Sequence, residues 1–182
     1  MAGEGGDILE GPQLAAWLRR SYVPLRPGEG QILKYYVDTG FHVINATLRD
    51  VGNPVLPARS IRRQITLLDA AIGRQPGLPQ ASLAWRGVRT AHVADVFRRS
   101  AIGDVIPEAA FSSATTSRRI GKCFAGEQLL LRIILPAGIS ALHVPSSGVK
   151  SDEDEILLPR ELGYEVRRID DNEVEVVIHE LA

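Results

Sequence analysis

The chain has 182 residues, of which 45% are hydrophobic and 24% are charged, and its formal net charge is -1. These values are typical of one globular domain with a sizeable core, and a charge so close to neutral does not indicate a nucleic-acid partner. The one cysteine, Cys123, excludes an internal disulfide and a cysteine-rich zinc site.

Residues 1–12 are rich in glycine and acidic residues, and we expect them to be disordered ahead of a single domain over residues 13–182. The N-terminus lacks the basic start and the apolar run of a signal peptide, so none is predicted. No apolar stretch reaches the roughly 18 residues that a membrane span needs. The sequence therefore predicts a soluble protein with no membrane partner.

Helical periodicity dominates the first half of the chain. A turn is predicted at Pro24 to Gly30, and a linker loop follows Gly73. Apolar residues recur at spacings of three and four in three segments, which we predict to be amphipathic helices: Leu14 to Leu18, Lys34 to Arg49 with an interruption near Gly40, and about Ala58 to Gly73.

Short apolar or β-branched stretches bounded by turn residues dominate after residue 82. One helix interrupts them at AHVADVFRR, with Val93, Val96 and Phe97 on one face. Asp170 to Asn172 are a predicted hairpin turn between the last two strands. The predicted strands are SLAWR, AAFSSATT, QLLLRIILP, ISALHV, DEILLP, YEVRRI and EVEVVIHEL. Helices followed by strands predict an α+β domain rather than alternating βαβ units.

The stretch SDEDEILLPR, residues 151–160, places four acidic residues ahead of an apolar strand. If the chain is extended there, Glu153 and Glu155 share one face, and Asp152 and Asp154 share the other. Neighbouring carboxylates repel each other, so the arrangement needs a reason. A solvated loop that leads into a strand is one reason, and a pair of functional acids is the other.

Three short motifs together resemble the Arg-Ser-Glu class of ADP-ribosyltransferases, the bacterial exoenzyme toxins. They are WRG at Trp85 to Gly87, FSSATTS at Phe111 to Ser117 and EDE at Glu153 to Glu155. Two longer stretches, Tyr35 to Arg49 and Phe124 to Gly138, are similar to the family's first helical stretch and to its phenylalanine loop. The resemblance covers most of the chain. It implies one catalytic domain in which N-terminal helices precede two packed small sheets, mixed or antiparallel, that form an NAD cleft.

The resemblance also implies roles for three residues. The matching arginine, Arg86, binds a phosphate of NAD, which suits the planar fork of a guanidinium. Ser113 matches the first serine of the family's Ser-Thr-Ser motif, whose hydroxyl holds the catalytic carboxylate or the nicotinamide ribose. Phe124 follows eleven residues later, where the family places an aromatic ring against the nicotinamide, although the pattern alone also allows a core phenylalanine. Ala114 replaces the middle hydroxyl of the motif, so a shifted register that uses Ser112 or Ser117 stays open.

The two glutamates are assigned different tasks. The bond between ribose and nicotinamide breaks through an oxocarbenium-like state, and a carboxylate near the sugar stabilises the positive charge. Glu155 takes this role through the ribose 2′-hydroxyl. An arginine acceptor is protonated at neutral pH, so a second carboxylate, Glu153, orients it and takes its proton. Family members that modify other acceptors have Gln-x-Glu, so Glu153 indicates arginine.

Other polar residues receive no role. Arg118 and Arg119 lie in the predicted loop TSRRIGK, where they can reach a phosphate or be solvated. Cys123 lacks the paired histidine and asparagine of a cysteine nucleophile. No metal-ligand spacing connects the histidines, so no metal site is predicted. The histidines are His42, His92, His143 and His179.

The resemblance therefore implies a mono-ADP-ribosyltransferase, a glycosyltransferase that moves ADP-ribose from NAD to a protein arginine and releases nicotinamide. Two alternatives stay open, namely an NAD glycohydrolase and a catalytically silent binding domain of the same fold. The expected partner is a target protein with an acceptor arginine, and an immunity or delivery partner is left open. Such a toxin or effector is expected to act in the cytoplasm of a target or host cell. Delivery by a secretion system, release from a larger toxin and a phage protein that acts inside its host all stay open.

Overall fold

The structure is a computed structural model that describes residues 7–49, 59–144 and 154–181. Helices come first in the chain: α1 (Gly11–Ser21), α2 (Pro27–Tyr35), a π-helical segment (Tyr36–Gly40), α3 (Phe41–Arg49) and α4 (Arg59–Gly73). Strands then dominate, with two further helices between them. These elements are β1 (Ser82–Val88), α5 (Ala91–Arg99), β2 (Val105–Glu108), β3 (Ser112–Thr115), α6 (Arg118–Ala125), β4 (Leu129–Leu135), β5 (Leu142–His143), β6 (Glu155–Leu158), β7 (Leu162–Asp170) and β8 (Glu173–Glu180).

The described residues before α1 are hydrogen-bonded to the chain at the start of β1. The Leu9 amide donates to Ala81 O at 3.0 Å, and Leu9 O accepts from the Leu83 amide at 2.8 Å. Residues 7–12, which we expected to be disordered, therefore run beside β1 and into α1, while residues 1–6 lie outside the described residues. None of the described helices is long and apolar enough to cross a membrane.

Two predictions concern the helical layer, and one is wrong while the other is confirmed. The turn predicted at Pro24 to Gly30 is wrong from Pro27 onward, because proline starts α2. The Arg26 amide donates to the Glu29 carboxylate at 2.9 Å, and Arg74 forms an ion pair with the same group. The interruption predicted near Gly40 is confirmed as the π-helical segment between α2 and α3.

The strands follow the order β2-β7-β8-β4-β1-β3-β6-β5, in which only β4 and β8 run parallel among the described pairs. Strand β1 pairs with β4 along its whole length, from Ser82↔Leu135 to Val88↔Leu129. It pairs with β3 at a single position, Trp85↔Thr115. The two predicted small sheets are therefore joined into one sheet of eight strands, and this single pairing is the junction that links a group of five strands to a group of three. The α+β fold class is confirmed.

The helices bury two apolar cores against the strands. Leu14 and Phe97, from α1 and α5, belong to a core with residues of both strand groups, whereas Ile44 and Leu68, from α3 and α4, belong to a core with the smaller group. A fully buried leucine contributes about 2 kcal/mol through its apolar area. The relative positions of α1, α3 and α5 around the junction are therefore set by side-chain burial.

Two short elements and one helix face were not predicted correctly. The predicted loop TSRRIGK contains the first turns of α6, which Ser117 caps by accepting a hydrogen bond from the Ile120 amide at 3.4 Å. Strand β2 was missed because it is a four-residue strand at the edge of the sheet that contains a proline. On α5, Phe97 is buried as expected, but Val93 and Val96 remain 41% and 40% exposed.

Candidate active site

A cavity of about 940 Å³ lies at the junction of β1 and β3, between the helical layer and the strands. Four of the five predicted site residues line it, namely Arg86, Ser113, Phe124 and Glu155. They come from three strands and one helix that are separate in sequence. Glu153, the fifth, lies outside the described residues.

Arg86 lies in the second half of β1, opposite Leu131 of β4. Its guanidinium is half-buried, and Nη1 donates to Ser113 O at 3.4 Å across the junction. A guanidinium has five donors, and this long hydrogen bond occupies one of them. The side chain is therefore placed to bind an anion inside the cavity.

The sequence left three candidates for the serine of the motif, and the structure distinguishes them. Ser112 is completely buried, and Ser117 caps α6. Ser113 is half-buried and lines the cavity. Of these three hydroxyls, only that of Ser113 belongs to a residue of the cavity wall, which favours the register based on Phe111.

Glu155 begins β6 and lies opposite Thr115 of β3 in the antiparallel register, while Ser113 lies opposite Leu157. Residues that face each other across a ladder project to the same side of a sheet. Glu155 and Ser113 are thus diagonal neighbours on the face that borders the cavity. The preceding side chain, Asp154, forms an ion pair with Arg19. The extended chain predicted from Glu153 onward is wrong at Asp154, whose φ is 39°.

A buried hydrogen-bond network joins the helical layer to the start of β3. The Asn45 amide nitrogen donates to Tyr36 Oη at 3.0 Å and to Phe111 O at 3.2 Å, and Tyr36 Oη lies 3.3 Å from the same carbonyl. Burial raises the pKa of Tyr36 to about 12, although the hydrogen bond with Asn45 opposes this shift. Tyr36 therefore stays protonated at neutral pH. The network holds the chain two residues before Ser113.

Helix α6 is held against β1 by two glycines. A Cβ atom on Gly87 would lie 2.6 Å from Gly121 O, and one on Gly121 would lie 2.9 Å from Trp85 Cβ. This close approach places Phe124 on the cavity wall with 38% of its surface exposed. The Arg89 guanidinium lies over the Phe124 ring at 5.5 Å, and its Nε donates to Phe124 O at 2.6 Å.

Gly87→Ala is expected to lower the free energy of unfolding by about 1 to 3 kcal/mol, because the added methyl group would force α6 away from β1. Urea unfolding measures this difference. Gly30→Ala is the matched control: nothing lies within 4 Å of a Cβ there, and alanine favours the helix. Equal stability of the two variants would show that the approach of α6 does not depend on Gly87.

His143 of β5 pairs with Ile156 beside the start of β6, and its Nε2 has no hydrogen-bond partner within the described residues. Asp154 Oδ1 lies 4.0 Å from this nitrogen. Burial lowers the pKa of His143, the Arg19 guanidinium lowers it further, and Asp154 opposes them. Protonation of His143 is therefore easier in the unfolded chain than in the folded one.

The lower pKa of His143 in the folded chain predicts a stability that depends on pH. A histidine with a lowered folded pKa leaves stability intact above the unfolded value of about 6.5, and stability is lost as the pH falls from there towards the folded pKa. The melting temperature between pH 7 and pH 5 should fall less in His143→Gln than in the wild type. The exposed His42→Gln serves as the control variant. Parallel curves for wild type and His143→Gln would exclude this contribution.

A family model described as ADP-ribosyltransferase exoenzyme matches residues 16–180 of the sequence. The chain belongs to this family. The family predicted from the sequence is thereby confirmed. NAD is the substrate of these transferases. No curated protein matched the sequence.

Solved structures of ADP-ribosylating toxins share the fold of this transferase. Plx2a, a toxin from Paenibacillus larvae, is 21% identical, with a TM-score of 0.73 over 91% of this chain and 94% of its own. C3stau2 from S. aureus, solved with NAD, is 18% identical, with a TM-score of 0.73 over 96% of this chain and 99% of its own. BECa from a binary enterotoxin of C. perfringens, solved with NADH, is 20% identical, with a TM-score of 0.72 over 91% of this chain. The chain spans 48% of BECa.

The cavity of the transferase also contains residues that the sequence did not single out. Arg49, at the end of α3, donates two hydrogen bonds to the Glu108 carboxylate, at 3.0 and 2.8 Å, and this pairing raises its pKa. Arg89 and the buried Tyr164 line the cavity as well. Arg49 ends the helical stretch that resembles the family, so its position could have been noticed. Among the described residues, no group of three or more His, Cys, Asp or Glu side chains could hold a metal ion.

Proposed function

We propose that this transferase moves ADP-ribose from NAD to an arginine of a target protein, with Arg86, Ser113, Phe124 and Glu155 as the residues that bind and activate NAD. The observation that carries the proposal is the convergence of these four side chains on one cavity. A family motif that had lost its function would have no reason to keep an arginine, a serine, an aromatic ring and a carboxylate on the same walls. Their convergence speaks against the catalytically silent alternative.

The cavity suits a dinucleotide with two negative charges and two planar rings. Two arginines, Arg86 and Arg89, provide positive charge along its wall, while a third, Arg49, is paired with Glu108. Apolar side chains from α3 and α5 supply flat contact area elsewhere in the same space, and its volume of about 940 Å³ leaves room for a ligand of this size. Arg86 is the residue we assign to the diphosphate, because its half-buried guanidinium lies next to Ser113.

Glu155 would act on the reacting bond. As the bond between ribose and nicotinamide breaks, its electron pair leaves with the nicotinamide, and positive charge develops on the sugar. A half-buried carboxylate at the start of β6 stabilises this charge more strongly than a carboxylate in bulk water would. Ser113, diagonal to Glu155 on β3, would hold the carboxylate or the ribose, and the Phe124 ring would contact the nicotinamide.

Glu153 would complete the transfer to arginine. It comes two residues before Glu155 in the sequence, and we assign to it the acceptor guanidinium. The acceptor nitrogen forms a new bond to the ribose carbon and loses one proton, which the Glu153 carboxylate accepts. We place the acceptor protein in the cytoplasm of a target cell. An NAD glycohydrolase would use Glu155 in the same way, with water in place of the arginine.

Labelled NAD tests the proposal directly. The protein is incubated with labelled NAD and a cell lysate, nicotinamide release is measured, and fragment masses locate the label on any modified protein. ADP-ribose on an arginine is the expected result. Nicotinamide release without protein labelling would support the glycohydrolase, and neither product would support a silent domain. Glu155→Gln, run in parallel, controls for non-enzymatic labelling.

The three serine variants test the register of β3. Ser113→Ala is expected to slow nicotinamide release by roughly tenfold, since about one hydrogen bond to the reacting groups is lost. Ser117→Ala should instead cost about 1 kcal/mol of stability through the lost helix cap, with the rate per folded molecule retained. Ser112→Ala changes a buried residue and should also retain this rate. Equal rates for all three variants would contradict the assignment of Ser113.

A further inference from the structure

Asp154, immediately before Glu155, has an unusual backbone conformation. Its φ is 39°, and Glu161 is the only other residue except glycine with a positive φ in the described part of the chain. L-amino acids avoid this left-handed region, although aspartate tolerates it better than most. Such a conformation persists where surrounding contacts hold it, and it occurs preferentially at functional sites. The conformation of Asp154 therefore calls for contacts that stabilise it.

Three separate elements supply those contacts. Arg19 Nη1, from the last turn of α1, lies 2.7 Å from Asp154 Oδ1. The Thr116 amide, just after β3, donates to Asp154 O at 3.3 Å. His143 Nε2, from β5, lies 4.0 Å from the same carboxylate. Arg19 is 135 residues away in sequence, so α1 is tied directly to the beginning of β6.

The position of Glu155 depends on this residue. The Asp154 side chain pairs with Arg19 of α1, whereas Glu155 belongs to the cavity wall. A change of the backbone angles at Asp154 would rotate the first residue of β6 and displace its carboxylate. Displacements of about 1 Å are enough to lower a catalytic rate substantially.

We infer that Arg19 and Asp154 are positioning residues of the transferase: their ion pair holds residue 154 in the left-handed conformation and thereby directs the Glu155 carboxylate into the cavity. The inference rests on the proposed catalytic role of Glu155. It assigns to α1, which contributes no side chain to the cavity wall within the described residues, a part in the reaction.

The solvent exposure of the ion pair distinguishes a role in positioning Glu155 from a role in folding stability. The Arg19 and Asp154 side chains are 52% and 33% exposed. Ion pairs with this much solvent contact contribute little to folding. Loss of the pair should therefore appear in kcat, with small changes in the melting temperature and in the KM for NAD.

Single variants separate the loss of the ion pair from the loss of the left-handed conformation, and nicotinamide release gives kcat for each variant. Arg19→Ala should lower kcat by roughly two- to fivefold, the range of a partly exposed ion pair. Asp154→Ala should lower it by about tenfold, because alanine loses the pair and also disfavours a positive φ. Asp154→Gly should match Arg19→Ala, since glycine adopts this conformation freely. Arg19→Lys should recover most of the activity, because lysine keeps the charge.

A double-mutant cycle gives the decisive readout. The combined Arg19→Ala and Asp154→Ala variant should be no slower than Asp154→Ala alone, because both changes remove one interaction. Arg20→Ala, its neighbour on the exposed side of α1, should keep the wild-type kcat. Wild-type kcat in the Arg19 and Asp154 variants, or additive losses in the double variant, would overturn the inference. Failure of the proposed function is distinguishable, since either the wild type would then release no nicotinamide or Glu155→Gln would release it at the wild-type rate.

Discussion

Glu155→Gln is expected to abolish both protein labelling and the slow hydrolysis of NAD, with a loss of at least about a hundredfold in each rate. The reason is electrostatic: both reactions pass through positive charge on the ribose, and a neutral amide cannot stabilise it as a carboxylate does. Nicotinamide release and labelled protein are measured in the same samples. Full hydrolysis by a folded Glu155→Gln variant would remove Glu155 from the reaction.

Glu153→Gln is the matched comparison for this experiment. If Glu153 serves only the acceptor, its replacement should remove most arginine labelling, by roughly a hundredfold, and leave most of the hydrolysis, since water needs less help than a guanidinium to lose a proton. Removal of one of two neighbouring negative charges should leave the free energy of unfolding unchanged or slightly higher. Parallel losses of both reactions in Glu153→Gln would contradict the separation of tasks.

Arg86→Ala is expected to weaken NAD binding by roughly ten- to a hundredfold with the fold intact. The guanidinium would supply charge-assisted hydrogen bonds to a phosphate, each worth about 1.5 to 3 kcal/mol. The side chain is only half-buried at the strand surface, so its loss should change stability little. Calorimetry gives the affinity, and thermal unfolding confirms the fold.

Arg168→Ala provides a control for the loss of a strand arginine. Arg168 is exposed on β7, where it pairs with Asp170 at 3.0 Å, and it is not among the residues that line the cavity. The affinity of this variant for NAD should equal that of the wild type. An unchanged affinity in Arg86→Ala, or an equal loss in both variants, would mean that the diphosphate is bound elsewhere.

The sequence was most informative where local pattern and burial agree. Alternating or continuous apolar runs predicted β4 and β8 because both strands bury their side chains in the core. Helix α6 was missed because its buried residues are Gly121 and Ala125, which leave no apolar stripe. On α5, Val93 and Val96 look like core residues in sequence, yet they line the cavity, which forms only when separate elements pack together.

The sequence predicted which four side chains would come together, but it did not predict the contacts that hold them in place. The order of the motifs around Arg86, Ser113, Phe124 and Glu155 indicated that these residues would meet, and they line one cavity. The contact of Arg89 with Phe124 depends on how closely α6 packs against β1, which follows from tertiary packing. The link between α1 and the beginning of β6 likewise joins residues that no local pattern relates.

A crystal structure of the Glu155→Gln variant with NAD tests the central claim most directly, because the variant should bind NAD without consuming it. We expect the diphosphate beside Arg86, the nicotinamide against the Phe124 ring, and the ribose 2′-hydroxyl within hydrogen-bonding distance, about 2.6 to 3.2 Å, of the side chain at position 155. NAD bound outside the cavity at the junction of β1 and β3, or bound there with its ribose away from position 155, would contradict the account.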